Sequence, residues 1–205
     1  MKPHDRWHWL WNRLACGGDP DAIFSRLAAL YGESHRAYHN LDHIAACLDE
    51  FDPVRSLATN AEAVEFSIWF HDAIYDPRAH DNEERSAALA VTIAREANLP
   101  ALFITAVTEF VLATKHKSIP TTSDARLVVD IDLAILGKPP AMFDDYERKI
   151  RSEYSFVPDD QFRAGRAVIL KQFQARPTIY FTDYFRQRYE AQARMNLDGS
   201  LSKLL

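Results

Sequence analysis

An all-α fold, organised as a single-domain helical bundle, is what this sequence predicts, and three observations lead there. Only 6 glycines occur in 205 residues. Apolar residues recur at helical spacing along most of the chain. The prolines and the remaining turn residues fall between these stretches rather than inside them.

Taken in order, Met1 to Leu14 carries Trp7, Trp9 and Trp11 among charges and histidines, and reads as a helix or arm packed on the domain. An interfacial membrane anchor is the competing reading of the three tryptophans. Asp19 and Asp21 around Pro20 mark a helix start, and Ile23, Phe24, Leu27, Ala28, Leu30 and Tyr31 form its stripe. Leu41 to Phe51 repeats the pattern through Ile44, Ala45 and Leu48. Asn60 suits the cap of a helix bearing Val64, Ile68 and Trp69. Asp81, with Glu84 three residues on, has the spacing of a capping box for a helix that ends near Pro100. Pro100 then suits the first turn of the next helix, through Phe103, Val107 and Val111. Four more helices are expected at 123–136, 140–154, 159–174 and 183–195. The core of the domain spans about residues 20–177, with the N-terminal arm and the C-terminal helix packed on it.

Composition narrows the function. Hydrophobic residues make up 47% and charged residues 26%, with a formal net charge of -5. No basic stripe is present, so nucleic acid is not an expected partner. No segment has the apolar length of a membrane span, and the first residues lack the core of a signal peptide, which together predict a cytoplasmic protein. Cys16 and Cys47 are the only cysteines, and without a C-x-x-C pair they predict neither a cysteine-built zinc site nor a disulfide framework.

Three segments carry chemistry. They are Tyr38-His39-Asn40-Leu41-Asp42-His43, Trp69-Phe70-His71-Asp72 and Asp130-Ile131-Asp132. On a helix His39 and His43 share a face. Adjacent His71 and Asp72 do not share one, but both reach a single ion where a helix unwinds, in a place walled by Phe70 and Tyr75. Mixed imidazole and carboxylate ligands suit a divalent ion such as Mn²⁺, Ni²⁺, Co²⁺, Fe²⁺, Zn²⁺ or Mg²⁺. One short motif says little; H-x-x-x-H, then HD, then Asp, each on its own helix, is far more specific.

This order resembles the HD superfamily of metal-dependent phosphohydrolases, whose hallmark is a His, an adjacent His-Asp and a later Asp on an all-α core. The span from Tyr31 to Pro177 resembles small bacterial predicted HD phosphohydrolases. Asp81 to Ala87, Ala113-Thr114-Lys115-His116 and Asp132 to Gly137 complete the likeness. The resemblance implies His43, His71, Asp72 and Asp132 as metal ligands, with Asp130 competing for the last place. It implies an HD-type domain, metal-activated water and a phosphate ester as substrate, a nucleotide or another small phosphorylated metabolite. His39 resembles the acid of class I cyclic-nucleotide phosphodiesterases. Their further histidine, for a second metal, is replaced here by Tyr75-Asp76-Pro77.

Secondary roles stay open at this point. His39 either protonates the leaving group or only hydrogen-bonds a ligand. Lys115 and His116 either meet a phosphate or second metal, or complement a helix C-terminus. His35 and Arg36 read as exposed loop residues near a phosphate at best. Asp76, Asp81 or Glu84 can orient a water, and Arg163, Arg166 and Lys171 can serve a phosphate or a solvated face. Two other functions remain: a metal-binding or regulatory module without turnover, and a di-iron oxygenase that recruits His116 and Asp76.

Overall fold

A computed structural model describes residues 1–204. It is all-helical: ten α-helices and two 3₁₀ segments, with no strand among the described residues. The chain forms two compact units, Met1–Val129 and the residues from Asp130 on.

The first unit contains α1 (Pro3–Leu14), α2 (Pro20–Tyr31), α3 (Leu41–Phe51), a 3₁₀ segment (Asp52–Leu57), α4 (Ala61–Phe70), α5 (Asn82–Glu96) and α6 (Ala101–Ala113). α7 (Ser123–Asp132) begins in it and crosses the boundary. Side-chain caps fix several starts. Asp19 accepts the N–H groups of Asp21 and Ala22, Asn40 those of Asp42 and His43, and Asn60 that of Ala63. Each satisfies donors that the first helical turn leaves without intrahelical partners.

α4 is the central helix of this unit and packs against α1, α3, α5 and α6. Every residue from Ala63 to Phe70 is buried, as expected of a helix apolar on nearly all sides. The one acid inside it, Glu65, is fully buried, and Arg6 and Arg55 both pair with it. A buried carboxylate persists only with such partners.

The tryptophans at the start divide by helical position. Trp7 is fully buried with its ring against Trp11, Phe66, Trp69 and Phe70, and its indole N–H donates to Pro20 O at 2.9 Å. The N-terminal segment is therefore a core helix, and Trp9, the exposed member, carries the guanidinium groups of Arg13 and Arg55 over its ring. No described helix is long and apolar enough to cross a membrane.

The second unit holds a 3₁₀ segment (Leu133–Gly137), α8 (Pro140–Glu153), α9 (Asp159–Gln174) and α10 (Asp183–Leu204). α10 packs on the 3₁₀ segment and on α9. Gly137 permits that approach, because a Cβ there would lie 2.4 Å from Tyr189 Cβ and 2.8 Å from Tyr189 O. Asn196 fastens the same junction by donating to the carbonyls of Leu136 and Lys138, both at 2.8 Å.

Several local expectations need correction. The helix expected over 123–136 ends at Asp132 and tightens into a 3₁₀ turn, a common way for a helix to finish. The last helix continues past Met195 to Leu204, because Asn196, Leu197 and Ser200 keep a buried face that apolar periodicity understates. Asp81 stands at the N-cap of α5 but makes no side-chain cap, and Glu84 instead pairs with Lys115, so there is no capping box. Arg166 is neither a phosphate arm nor part of a solvated face. It is buried and bound to Glu147 and to the Tyr146 hydroxyl at 2.9 Å.

Candidate metal centre

The site in the first unit is assembled by the start of α3 and the end of α4. Asn40 caps α3, so the helix begins only at Leu41. His43 therefore lies in the first turn and Cys47 one turn further along the same face, both buried. His39 precedes the cap and is not on the helix, which corrects the expected i, i+4 pairing with His43. It nevertheless stays close: its ring is stacked on Tyr75 at 4.1 Å and lies 6.1 Å from that of His43.

α4 ends at Phe70, and His71 and Asp72 form the turn that follows. The unwinding expected for adjacent ligands is present. Phe70 does not wall the site; it is a core residue stacked on Phe66. Tyr75 does line it, through His39.

Three ligand atoms converge. His43 Nε2 and His71 Nε2 are 3.1 Å apart. Asp72 Oδ2 lies 3.1 Å from His71 Nε2 and 3.4 Å from His43 Nε2. Around an ion bound at about 2.0–2.1 Å, neighbouring ligand atoms lie about 3.0 Å apart at right angles and about 3.4 Å apart at tetrahedral angles. The triangle has the dimensions of one face of such a shell. His71 Nδ1 faces Ile68 O at 2.9 Å. In the neutral ring that bond places the proton on Nδ1 and leaves the Nε2 lone pair directed into the triangle, the usual backing of a metal-bound histidine.

The electrostatics agree. Burial disfavours the charge on Asp72, but with the rings protonated at Nε2 the charge of His71, hydrogen bonds from His43 and His71, and the more distant His39 hold its carboxyl well below the usual range; a bound ion would take the place of those Nε2 protons. An ionised carboxylate is the form that ligates. Its side chain retains 19% exposure, so the triangle meets solvent through Asp72 while both imidazoles are buried.

Cys47 is the site residue that sequence reasoning passed over. Its Sγ lies 3.7 Å from both ring nitrogens of His43, and the ligand atoms of His43, Cys47 and His71 fall within 4.8 Å of one another. These buried side chains can hold a metal ion. The His43-x-x-x-Cys47 spacing on one helix was the available signal.

Arg36 is the second omission. Expected as an exposed loop residue, it is buried, and its guanidinium donates to the carbonyls of Asp72 at 2.6 Å, Ala73 at 2.9 Å and His39 at 3.0 Å. Glu33 accepts from its Nε at 3.0 Å. One side chain thus ties the turn carrying Asp72 to the segment carrying His39. From α5, Ser86 Oγ accepts the Ile74 N–H at 3.0 Å, and Asn82 bonds both the N–H and the carbonyl of Asp76. The Asp81 to Ala87 segment supports the turn through Asn82 and Ser86 rather than through its acids. Asp76 Oδ1 accepts the Arg78 N–H at 2.9 Å, and His35 Nε2 lies 2.8 Å from Tyr75 O.

Lys115 and His116 follow the end of α6. Lys115 Nζ is bound to Glu84 and to His80 O, on the approach to α5. His116 has a left-handed backbone, φ 56°.

The two aspartates of α7 differ sharply. Asp130 is fully buried, and its carboxylate accepts from the N–H of Phe181 at 2.8 Å and from the N–H and hydroxyl of Thr182, both at 2.7 Å. Burial pushes its carboxyl up to about 6 against the pull of those donors. Asp130 is therefore a structural cap for the approach to α10. Asp130→Ala should destabilise the protein by about 3 kcal/mol in thermal or urea melting, because two backbone donors lose their acceptor. Asp132, the last residue of α7, is half-buried.

Neither protein-family models, nor curated proteins, nor solved structures give a match to this chain.

Proposed function

We propose that the chain is a metal-dependent phosphohydrolase of the HD type. The observation behind this reading is the triangle of His43 Nε2, His71 Nε2 and Asp72 Oδ2, with edges of 3.1 to 3.4 Å. Asp132 joins this ligand set by the sequence order, and the commitment of Asp130 to Phe181 and Thr182 favours it over its neighbour. A divalent ion held there supplies Lewis acidity toward a phosphoryl oxygen and lowers the pKa of a water. His39, whose ring stacks on Tyr75 and lies 6.1 Å from that of His43, is the group proposed to hand a proton to the leaving oxygen. The substrate class is a small phosphate ester such as a nucleotide.

A second reading, a metal-holding module without turnover, is favoured by Cys47. A thiolate beside two imidazoles suits a closed zinc site, whereas hydrolysis needs an open coordination position.

Turnover separates the two. Protein purified without chelator should carry a divalent metal. With Mn²⁺, Ni²⁺ or Mg²⁺ it should release phosphate from nucleoside monophosphates or an aryl phosphate. A protein that keeps its metal yet cleaves no member of a broad phosphoester panel is the module instead.

A further inference from the structure

We infer that the first unit carries a second, surface site for a borderline transition-metal ion, Zn²⁺, Ni²⁺, Co²⁺ or Cu²⁺, built by His4 and His8 of α1 and Asp21 of α2. The two histidines are one turn apart on α1, with ring centroids 4.5 Å apart. Each Nε2 lies 2.9 Å from the same oxygen, Asp21 Oδ1. The three ligand atoms fall within 4.8 Å of one another.

Those distances are close to the separation of about 3.0 Å that an ion bound at about 2.1 Å imposes on ligands at right angles. As hydrogen-bonded neutral rings, both histidines must present a proton to one carboxylate oxygen. A metal ion replaces the two protons and meets the same three groups with little movement.

The frame is rigid before any ion arrives. Trp7, between the two histidines in sequence, is fully buried and donates from its indole to Pro20 O, which locks α1 against the first turn of α2. Asp19 caps that turn, and Phe24 sets its ring edge-on against His4 at 5.0 Å. A preformed site loses little entropy on binding. Two imidazoles with one carboxylate favour borderline ions over Mg²⁺ or Ca²⁺, which prefer all-oxygen shells. The side chains of His4 and Asp21 are exposed, so the site is open to ions in solution and offers free coordination positions.

The test titrates metal-stripped, full-length protein with Ni²⁺ or Zn²⁺ by calorimetry. Wild type is expected to show a surface equivalent that His4→Ala/His8→Ala removes, with the circular dichroism spectrum unchanged. Asp21→Asn, which keeps a hydrogen-bond acceptor on an exposed side chain, should weaken that equivalent by about tenfold or more, as removal of an anionic ligand does. A double variant that binds with the stoichiometry and affinity of wild type overturns the proposal. The outcome is independent of the buried triangle: His71→Ala should leave this equivalent in place, and it survives even if the triangle binds no metal.

Discussion

In the His71→Ala protein, the affinity of the triangle for metal is expected to fall by at least about 100-fold, and the proposed metal-stimulated phosphoester hydrolysis by about 10³-fold or more. His71 Nε2 is the vertex closest to both other ligand atoms, at 3.1 Å from each. Without it the set loses its central vertex, and the ligands that remain no longer close the triangle that fixes an ion's geometry. Lewis-acid activation contributes several kcal/mol to such a reaction, and each 1.36 kcal/mol is a factor of ten in rate. Asp72→Ala should give the same losses. Its side chain is the more exposed of the two, so folding is less at risk in that variant. Elemental analysis, phosphate release and far-ultraviolet circular dichroism on the same samples check the expectation. Helical content should stay intact, and full activity in a metal-free double variant would sink the proposed chemistry.

The residues of that triangle were legible in the sequence because side-chain chemistry announced them. A His-Asp pair says little alone, but its order after His43, on separate apolar helices, was specific, and the helix starts at Asp19 and Asn60 were marked in the sequence. What remained hidden has a common physical cause. Arg36 makes its hydrogen bonds to backbone carbonyls and Glu33, and nothing in a sequence marks which carbonyls a turn will leave without partners. Cys47 was judged by the absence of a C-x-x-C pair, although a ligand-type neighbour, His43, lies one turn away. Asp81 and Glu84 had the spacing of a capping box, yet Lys115, brought from the end of α6, outcompeted the backbone for Glu84. Asp130 and Asp132 have almost the same sequence context. Only the folded chain shows that Asp130 is committed to Phe181 and Thr182, some fifty residues on.

Arg36→Ala should be the most damaging change that touches no proposed ligand. Its side chain is wholly buried and lies over the rings of Tyr31 and Tyr75. Removing it strands the carbonyls of His39, Asp72 and Ala73 and leaves a hole beside two aromatic rings. Loss of one partner from such a buried, charge-assisted set costs about 3–5 kcal/mol, which for a chain of this length is a drop of roughly 10 °C in melting temperature. The second effect is more specific. Asp72 is held by its own carbonyl, so a loosened turn lets its carboxylate drift out of register with His43 and His71, and metal affinity should fall about 10–100-fold. Arg36→Lys separates the two effects. A lysine restores the charge and some packing but lacks the planar fork that reaches three carbonyls at once, so stability should recover more than metal binding does. Melting temperature and metal titration measured on both variants decide it. If Arg36→Ala melts and binds like wild type, then Ser86 and Asn82 hold the turn without it, and the weight given to Arg36 is misplaced.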